Sequence, residues 1–171
     1  YDLSALRYLT QAGGAMTRAA LQRMRQLVPS AQFFVMYGQT EATARLTYLP
    51  PEHLDERLGS VGVPLDGIEI EIRNAQGEEL PPGQVGELCA RGPNIMLGYW
   101  RDDEATREAV VDGWLHTGDL GHRDEAGFLY IDGRAVDMIK VGSFRVSPQE
   151  VEEVLAVLPG IAELCVASTH D

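Results

Sequence analysis

Ile68-Glu69-Ile70-Glu71-Ile72 alternates apolar and acidic residues without a break. Side chains two apart share a face only in extended backbone, so these five predict a strand with one buried and one solvated face. Turn signals follow it. Asn74-Ala75-Gln76-Gly77 and Pro81-Pro82-Gly83 bracket a short gap before a second strand-like run, Gly86 to Arg91. Short strands at this spacing predict a small antiparallel sheet or barrel between Gly59 and Gly98. Asp102 to Val110 reads as a short helix, and Trp114 to Asp132 returns to strands around the turn Asp124 to Gly127.

The stretch before Pro51 has a different grammar. A short strand, Leu6 to Leu9, runs into Gly13-Gly14. A helix follows over Thr17 to Val28, with Ala20, Met24, Leu27 and Val28 as its apolar face and Pro29 as its stop. Phe33 to Tyr37 is a continuous apolar run suited to a buried parallel strand. Strand, glycine turn, helix and strand in that order predict an α/β sheet. After Gly133-Arg134 the chain is expected to form a hairpin, Met138 to Val146. A helix signalled by Ser147-Pro148-Gln149-Glu150 comes next, with Val151, Val154, Leu155 and Leu158 on its apolar face, and then a strand, Ile161 to Ala167. The predicted class is thus α/β followed by mostly β: residues 1–57, 58–133 and 134–171, with Gly133-Arg134 at the last boundary. The chain starts at Tyr1 without methionine and stops just past an apolar run, and is expected to be a segment of a longer protein. Cut strands would expose apolar edges, so the segment is expected to self-associate.

Charge excludes one class of partner. The chain has 171 residues and a formal charge of −12. Its thirteen arginines form no basic tract, which a nucleic-acid backbone would need. No apolar run is long enough to span a bilayer and no signal peptide is visible. Two isolated cysteines, Cys89 and Cys165, read as buried thiols of a cytoplasmic protein. The four histidines show no zinc-ligand spacing.

Three stretches carry groups suited to chemistry. Tyr37-Gly38-Gln39-Thr40-Glu41 follows a predicted buried strand, where open α/β sheets bind ligands. Its tyrosine offers a flat face, its threonine a hydroxyl for a phosphate oxygen, and its glutamate a ligand for a hard cation such as Mg²⁺. The same residues also suit a strand end followed by a helix capped by Thr40. Thr117-Gly118-Asp119 and Gly133-Arg134 read as turns. Their carboxylate and guanidinium suit a ribose diol, and each is also common on plain surfaces. Lys140, the only lysine, sits at a third predicted turn. Trp100 and Trp114 are expected in the core, and His116 in a structural role.

In this order the segments resemble the adenylate-forming superfamily, which includes the acyl-CoA synthetases of fatty acid metabolism and the adenylation domains of peptide synthetases. The resemblance runs through Ala12-Gly13-Gly14-Ala15, Tyr37 to Glu41, Gly59-Ser60-Val61-Gly62, Gly86-Glu87-Leu88, Arg91-Gly92, Gly98-Tyr99-Trp100, Trp114 to Asp119, Gly133-Arg134, Asp137 to Lys140 and Val146-Ser147-Pro148. It implies the tail of an N-terminal α/β subdomain, a distorted β-barrel subdomain and the start of a mobile α+β C-terminal domain. It implies two steps. A small carboxylic acid attacks the α-phosphate of ATP with Mg²⁺, giving an acyl-adenylate, and the thiol of coenzyme A or a carrier-protein pantetheine then takes the acyl group. It assigns Tyr37 to adenine, with Gly13, Gly14, Ala15 and Gly38 around it. Thr40 falls to the α-phosphate, Glu41 to Mg²⁺, and Asp119 and Arg134 to the ribose. It puts Val136 at the hinge, and Lys140, Gly142, Ser143 and Phe144 in the thiol-transfer loop. The catalytic set is then Thr40, Glu41 and Lys140.

Two elements of the resemblance are not in the sequence: the phosphate loop with its lysine, and the lysine that contacts the carboxylate during adenylation. The 171 residues alone are therefore expected not to adenylate efficiently. Val136 stands where the resemblance implies Asp or Lys, and Ser143 where it implies Gly. The competing expectation is a non-catalytic structural or interaction module derived from such an enzyme.

Overall fold

The computed structural model describes residues 2–169 except 15, 143 and 162. Ala15 and Ser143 therefore lie outside the described residues. Strand β1 (Tyr8–Gln11) leads to helix α1 (Arg18–Leu27), then β2 (Gln32–Tyr37), β3 (Thr47–Leu49) and β4 (Ser60–Pro64). Strands β5 (Glu69–Arg73) and β6 (Gly86–Arg91) precede helix α2 (Asp103–Ala109). Next come β7 (Val110–Val111), β8 (Trp114–Arg123) and β9 (Leu129–Arg134). A hairpin of β10 (Ile139–Val141) and β11 (Phe144–Val146), then helix α3 (Pro148–Leu155), complete the order.

The α/β and β parts share one sheet. Its order is β1-β2-β3-β4-β9-β8-β6-β5, with β7 paired to β8. Only β1 and β2 pair in parallel, and every other ladder in this sheet is antiparallel. The join is β4. Thr47 donates to the Val61 carbonyl at 2.6 Å, while Ser60 donates to the Leu129 carbonyl at 2.8 Å. Both hydroxyls are buried, so each bond satisfies a group that burial would otherwise leave costly.

The alternation of β5 is realised: Ile70 and Ile72 are buried, and Glu69 and Glu71 pair with Arg91 and Arg73 outside. Ile70 and Ile72 join Leu46, Leu88, Leu115 and Leu129 in one core cluster. Burying one such side chain contributes about 1.5–3 kcal/mol. A second cluster packs Leu21 of α1 and Phe33 of β2 against Leu49, Leu54 and Phe128.

Several expectations are corrected. The first strand is Tyr8–Gln11, because Tyr8 to Gln11 pair with Gln32 to Val35. Helix α1 is capped by Thr17, whose Oγ1 accepts from the Ala20 amide at 3.2 Å. Its inward face is Leu21, Met24 and Val28, spaced three and four, while Leu27 is exposed. Trp114 is 6% exposed and lies under Arg73 at 4.3 Å and Arg91 at 4.6 Å. Trp100 is 87% exposed and anchors no core. Asp119, Arg134 and Lys140 lie within β8, β9 and β10: β8 and β9 run through Gly118 and Gly133, and Lys140 pairs with Arg145 in the hairpin. Ser147 precedes α3 but makes no capping bond. Its buried hydroxyl has no partner and lies near Gly133 of β9, 3.1 Å from where a Cβ would stand. No strand forms over Ile161 to Ala167 among the described residues, and Cys165 is exposed. No described helix is long and apolar enough to cross a membrane.

Candidate nucleotide site

A cleft of about 1670 Å³ opens over the carboxyl end of β2. Gly13, Gly14, Tyr37, Gly38, Asp119 and Arg134 line it together, although they come from four parts of the chain. Val136 lines it too, from the segment after β9. Three of these residues touch one another. The Tyr37 hydroxyl donates to Asp119 Oδ2 at 2.6 Å, and Arg134 Nε donates to Asp119 Oδ1 at 3.0 Å. Asp119 and Arg134 are register partners across β8 and β9, which puts their side chains on one face. Asp119 is 6% exposed, whereas the Arg134 side chain is mostly open to solvent. A carboxylate has about four acceptor positions. Two are used here, so the carboxylate retains capacity for a diol such as ribose.

The Asp119 segment is held from behind. Thr117 donates to the Leu88 carbonyl at 2.8 Å and accepts from the Asp119 amide at 3.1 Å. Glu87 Oε1 accepts from the Gly118 amide at 3.1 Å. These bonds fix a stretch in which Gly118 has φ +72, a conformation that suits glycine.

Burial raises the Tyr37 phenol above its ordinary range, and the Asp119 charge and hydrogen bond push the same way. Thr117 and Arg134 oppose this more weakly. The unfolded chain releases this proton near pH ~10, while the folded chain keeps it to higher pH. The contribution to stability is thus complete below pH ~10 and is lost as pH rises above it. Tyr37→Phe is expected to flatten the fall in urea-unfolding free energy between pH ~9 and pH ~11 by up to about 1.4 kcal/mol per pH unit. An unchanged alkaline slope would refute this coupling.

The Tyr37 to Glu41 stretch leaves the strand through a tight loop. A Cβ on Gly38 would stand 2.6 Å from Arg45 Cα, so backbone packs directly on this glycine. Thr40 to Ala42 form one 3-10 turn, and Thr43 and Ala44 adopt φ of 50° and 70°. Asn94 clamps the loop, donating to the Ala42 and Arg45 carbonyls at 2.9 and 2.7 Å. Tyr99 donates to Glu41 Oε1 at 2.8 Å, which raises the Tyr99 phenol. Thr40 and Glu41 sit beyond the cleft lining, and so do Lys140 and Phe144 on the hairpin and Gly142 at its turn.

Asn94, Tyr99, Thr117 and Glu87 were not among the expected site residues. Tyr99, Glu87 and Thr117 fall inside stretches that carried the resemblance, so position marked them although residue type did not. Asn94 acts through backbone carbonyls and left no sequence signal.

The AMP-binding enzyme family matches residues 1–100. A long-chain-fatty-acid–CoA ligase of Escherichia coli O6:H1 is 42% identical over 164 residues, covering 95% of this chain and 29% of its own. An indoleacetate–CoA ligase of Aromatoleum aromaticum is 36% identical over 171 residues, covering 99% of this chain and 33% of its own. Among solved structures, o-succinylbenzoate CoA synthetase of Bacillus subtilis, in complex with its acyl-adenylate intermediate, superposes with a TM-score of 0.89. That pair is 37% identical, over 96% of this chain and 34% of the synthetase. The same enzyme has also been solved with ATP and magnesium. The chain belongs to the AMP-binding enzyme family of the adenylate-forming superfamily. It spans about a third of the length of these relatives.

Proposed function

We propose that this chain supplies the nucleotide-binding wall, hinge and thiol-transfer loop of an ATP-dependent carboxylate ligase that makes an acyl thioester. The observation that carries the reading is the Tyr37–Asp119–Arg134 contact in the lining of the cleft. These three side chains join β2, β8 and β9 at one point, and one of them is a buried carboxylate with acceptor capacity to spare.

In this reading residues 1–57 end an α/β subdomain, 58–133 form the β-barrel subdomain and 134–171 begin the mobile domain. When bound, ATP with Mg²⁺ supplies the phosphoryl electrophile that activates a carboxylic acid. Asp119 accepts from the ribose hydroxyls and Arg134 donates to them. Tyr37 presents its ring to the base while its hydroxyl holds Asp119 in place. Gly13 and Gly14, where an added Cβ would meet nothing within 4 Å, leave room for that base, and Gly38 lines the same cleft. Thr40 is assigned to the α-phosphate, and Glu41, steadied by Tyr99, to the cation. These groups act by position and charge, which suits a step dominated by both. Val136, 86% exposed, sits where rotation would bring Lys140 and the Gly142–Phe144 turn toward the site. Coenzyme A is the favoured thiol, because a chain of charge −12 repels an acidic carrier protein.

The test measures acid-dependent ATP–pyrophosphate exchange and thioester formation with a panel of carboxylic acids and coenzyme A. The 171-residue chain is expected to stay at background, and the full reading frame that encodes it to exchange and form thioester. ATP hydrolysis to ADP with no acid-dependent exchange would overturn the reading, and so would full activity from the 171 residues alone.

A further inference from the structure

Glu87, Cys89 and His116 converge on one face of the β6–β8 ladder, behind the Asp119 segment. Cys89 and His116 are register partners, and Glu87 lies two residues from Cys89 on the same strand face. Cys89 Sγ stands 3.6 Å from His116 Nδ1, and His116 Nδ1 stands 2.9 Å from Glu87 Oε2. One donor atom from each residue falls within 4.8 Å of the others. The histidine spacing along the chain suggested no such set, because the ladder and not the sequence brings it together.

We propose that these three residues form a binding site for a thiophilic divalent cation of the Zn²⁺ class. The donor set is thiolate, imidazole and carboxylate, the three types that zinc takes from proteins. Tetrahedral zinc, with bonds of about 2.3 Å to sulfur and about 2.0–2.1 Å to nitrogen, spaces those two atoms about 3.5 Å apart. The Cys89–His116 separation already matches. The His116–Glu87 pair opens by a few tenths of an ångström once the cation replaces the proton between them. Glu87 keeps its other oxygen on the Gly118 amide, a hydrogen bond that orients a ligating carboxylate. Cys89 is fully buried, while the His116 and Glu87 side chains are 28% and 30% exposed. The cation therefore enters past these two, and water completes its fourth position. On binding, the Cys89 thiol releases its proton to solvent, and His116 carries its remaining proton on Nε2. Cys89 and His116 have no part in the proposed ligase chemistry, while Glu87 also lines the cleft and holds the Gly118 amide; the cation site does not depend on that reading.

Cobalt tests this directly. Cys165 is the only other cysteine, so the Cys165→Ser chain carries Cys89 as its single thiol. Co²⁺ added to that variant is expected to give a thiolate-to-cobalt charge-transfer band with tetrahedral visible absorption, at one ion per chain, and Zn²⁺ is expected to displace it. His116→Ala in the same background is expected to weaken binding at least tenfold. Absence of the band in folded Cys165→Ser protein overturns the site, as does a band of unchanged affinity in His116→Ala. Because the native core cysteine is retained throughout, a folding defect cannot imitate a negative result.

Discussion

Asp119→Ala is expected to lower stability and nucleotide affinity together. Removing the carboxylate leaves the Tyr37 hydroxyl, now in a buried setting, without its acceptor at 2.6 Å. An unsatisfied buried donor costs about 1–3 kcal/mol. The same change removes the proposed ribose acceptor, so AMP affinity should fall at least tenfold beyond any loss of folded protein. Arg134→Ala separates the two effects. The guanidinium is largely solvated while Asp119 keeps the Tyr37 hydroxyl as a donor, so its loss should lower stability less than Asp119→Ala and still weaken AMP. Titration of AMP into each variant, with unfolding followed on the same samples, checks both. Equal AMP affinity in the parent chain and Asp119→Ala would remove Asp119 from the nucleotide site.

The second large effect is expected at Gly62→Ala. Gly62 has φ +88 and sits where β4 shifts register against β9. A Cβ there would run into the Tyr48 carbonyl of the neighbouring strand, with Leu49 N also in the way. All of these atoms are backbone of β3, which leaves no flexible side chain to yield, so a cost above about 4 kcal/mol is expected. Gly67→Ala is the control. Gly67 has φ +81 but nothing within 4 Å of the added Cβ, so only the conformational cost of about 1–2 kcal/mol applies. Urea unfolding of the two variants separates collision from dihedral strain. Matching losses would show that β4 can move away from β3.

Local structure was legible where one period or one cap decided it. The alternation at Ile68 to Ile72, the turn at Asp124 and the helix after Asp102 all stand where the sequence put them. Gly118 and Gly133 resemble turn formers, yet β8 runs on through Gly118 where its register shifts against β6, and Gly133 pairs with Leu120 beside a second register shift. The conformational freedom of glycine allows a bulge as readily as a turn, and only the neighbouring strand decides. The helix after Ser147 was expected to be capped by the serine hydroxyl, but tertiary packing turned that hydroxyl to β9. Of the site, Tyr37, Asp119 and Arg134 could be singled out because each carries a distinctive group. The join between the α/β strands and the β strands could not. It rests on hydroxyls of Thr47 and Ser60 donating to carbonyls, a use open to any serine or threonine.

The position of β9 bears on how the chain is made. It inserts between β4 and β8, and Ser60 meets its partner Tyr130 seventy positions later. Synthesis proceeds at about 5–20 residues per second, so one side of β4 leaves the ribosome unpaired and waits roughly 4–14 s for its ladder. For most of that interval Tyr37 is present without Asp119, and the cleft has only one wall. The two halves of the sheet and the proposed nucleotide site thus come together in the same late event, when Leu129–Arg134 slots into place.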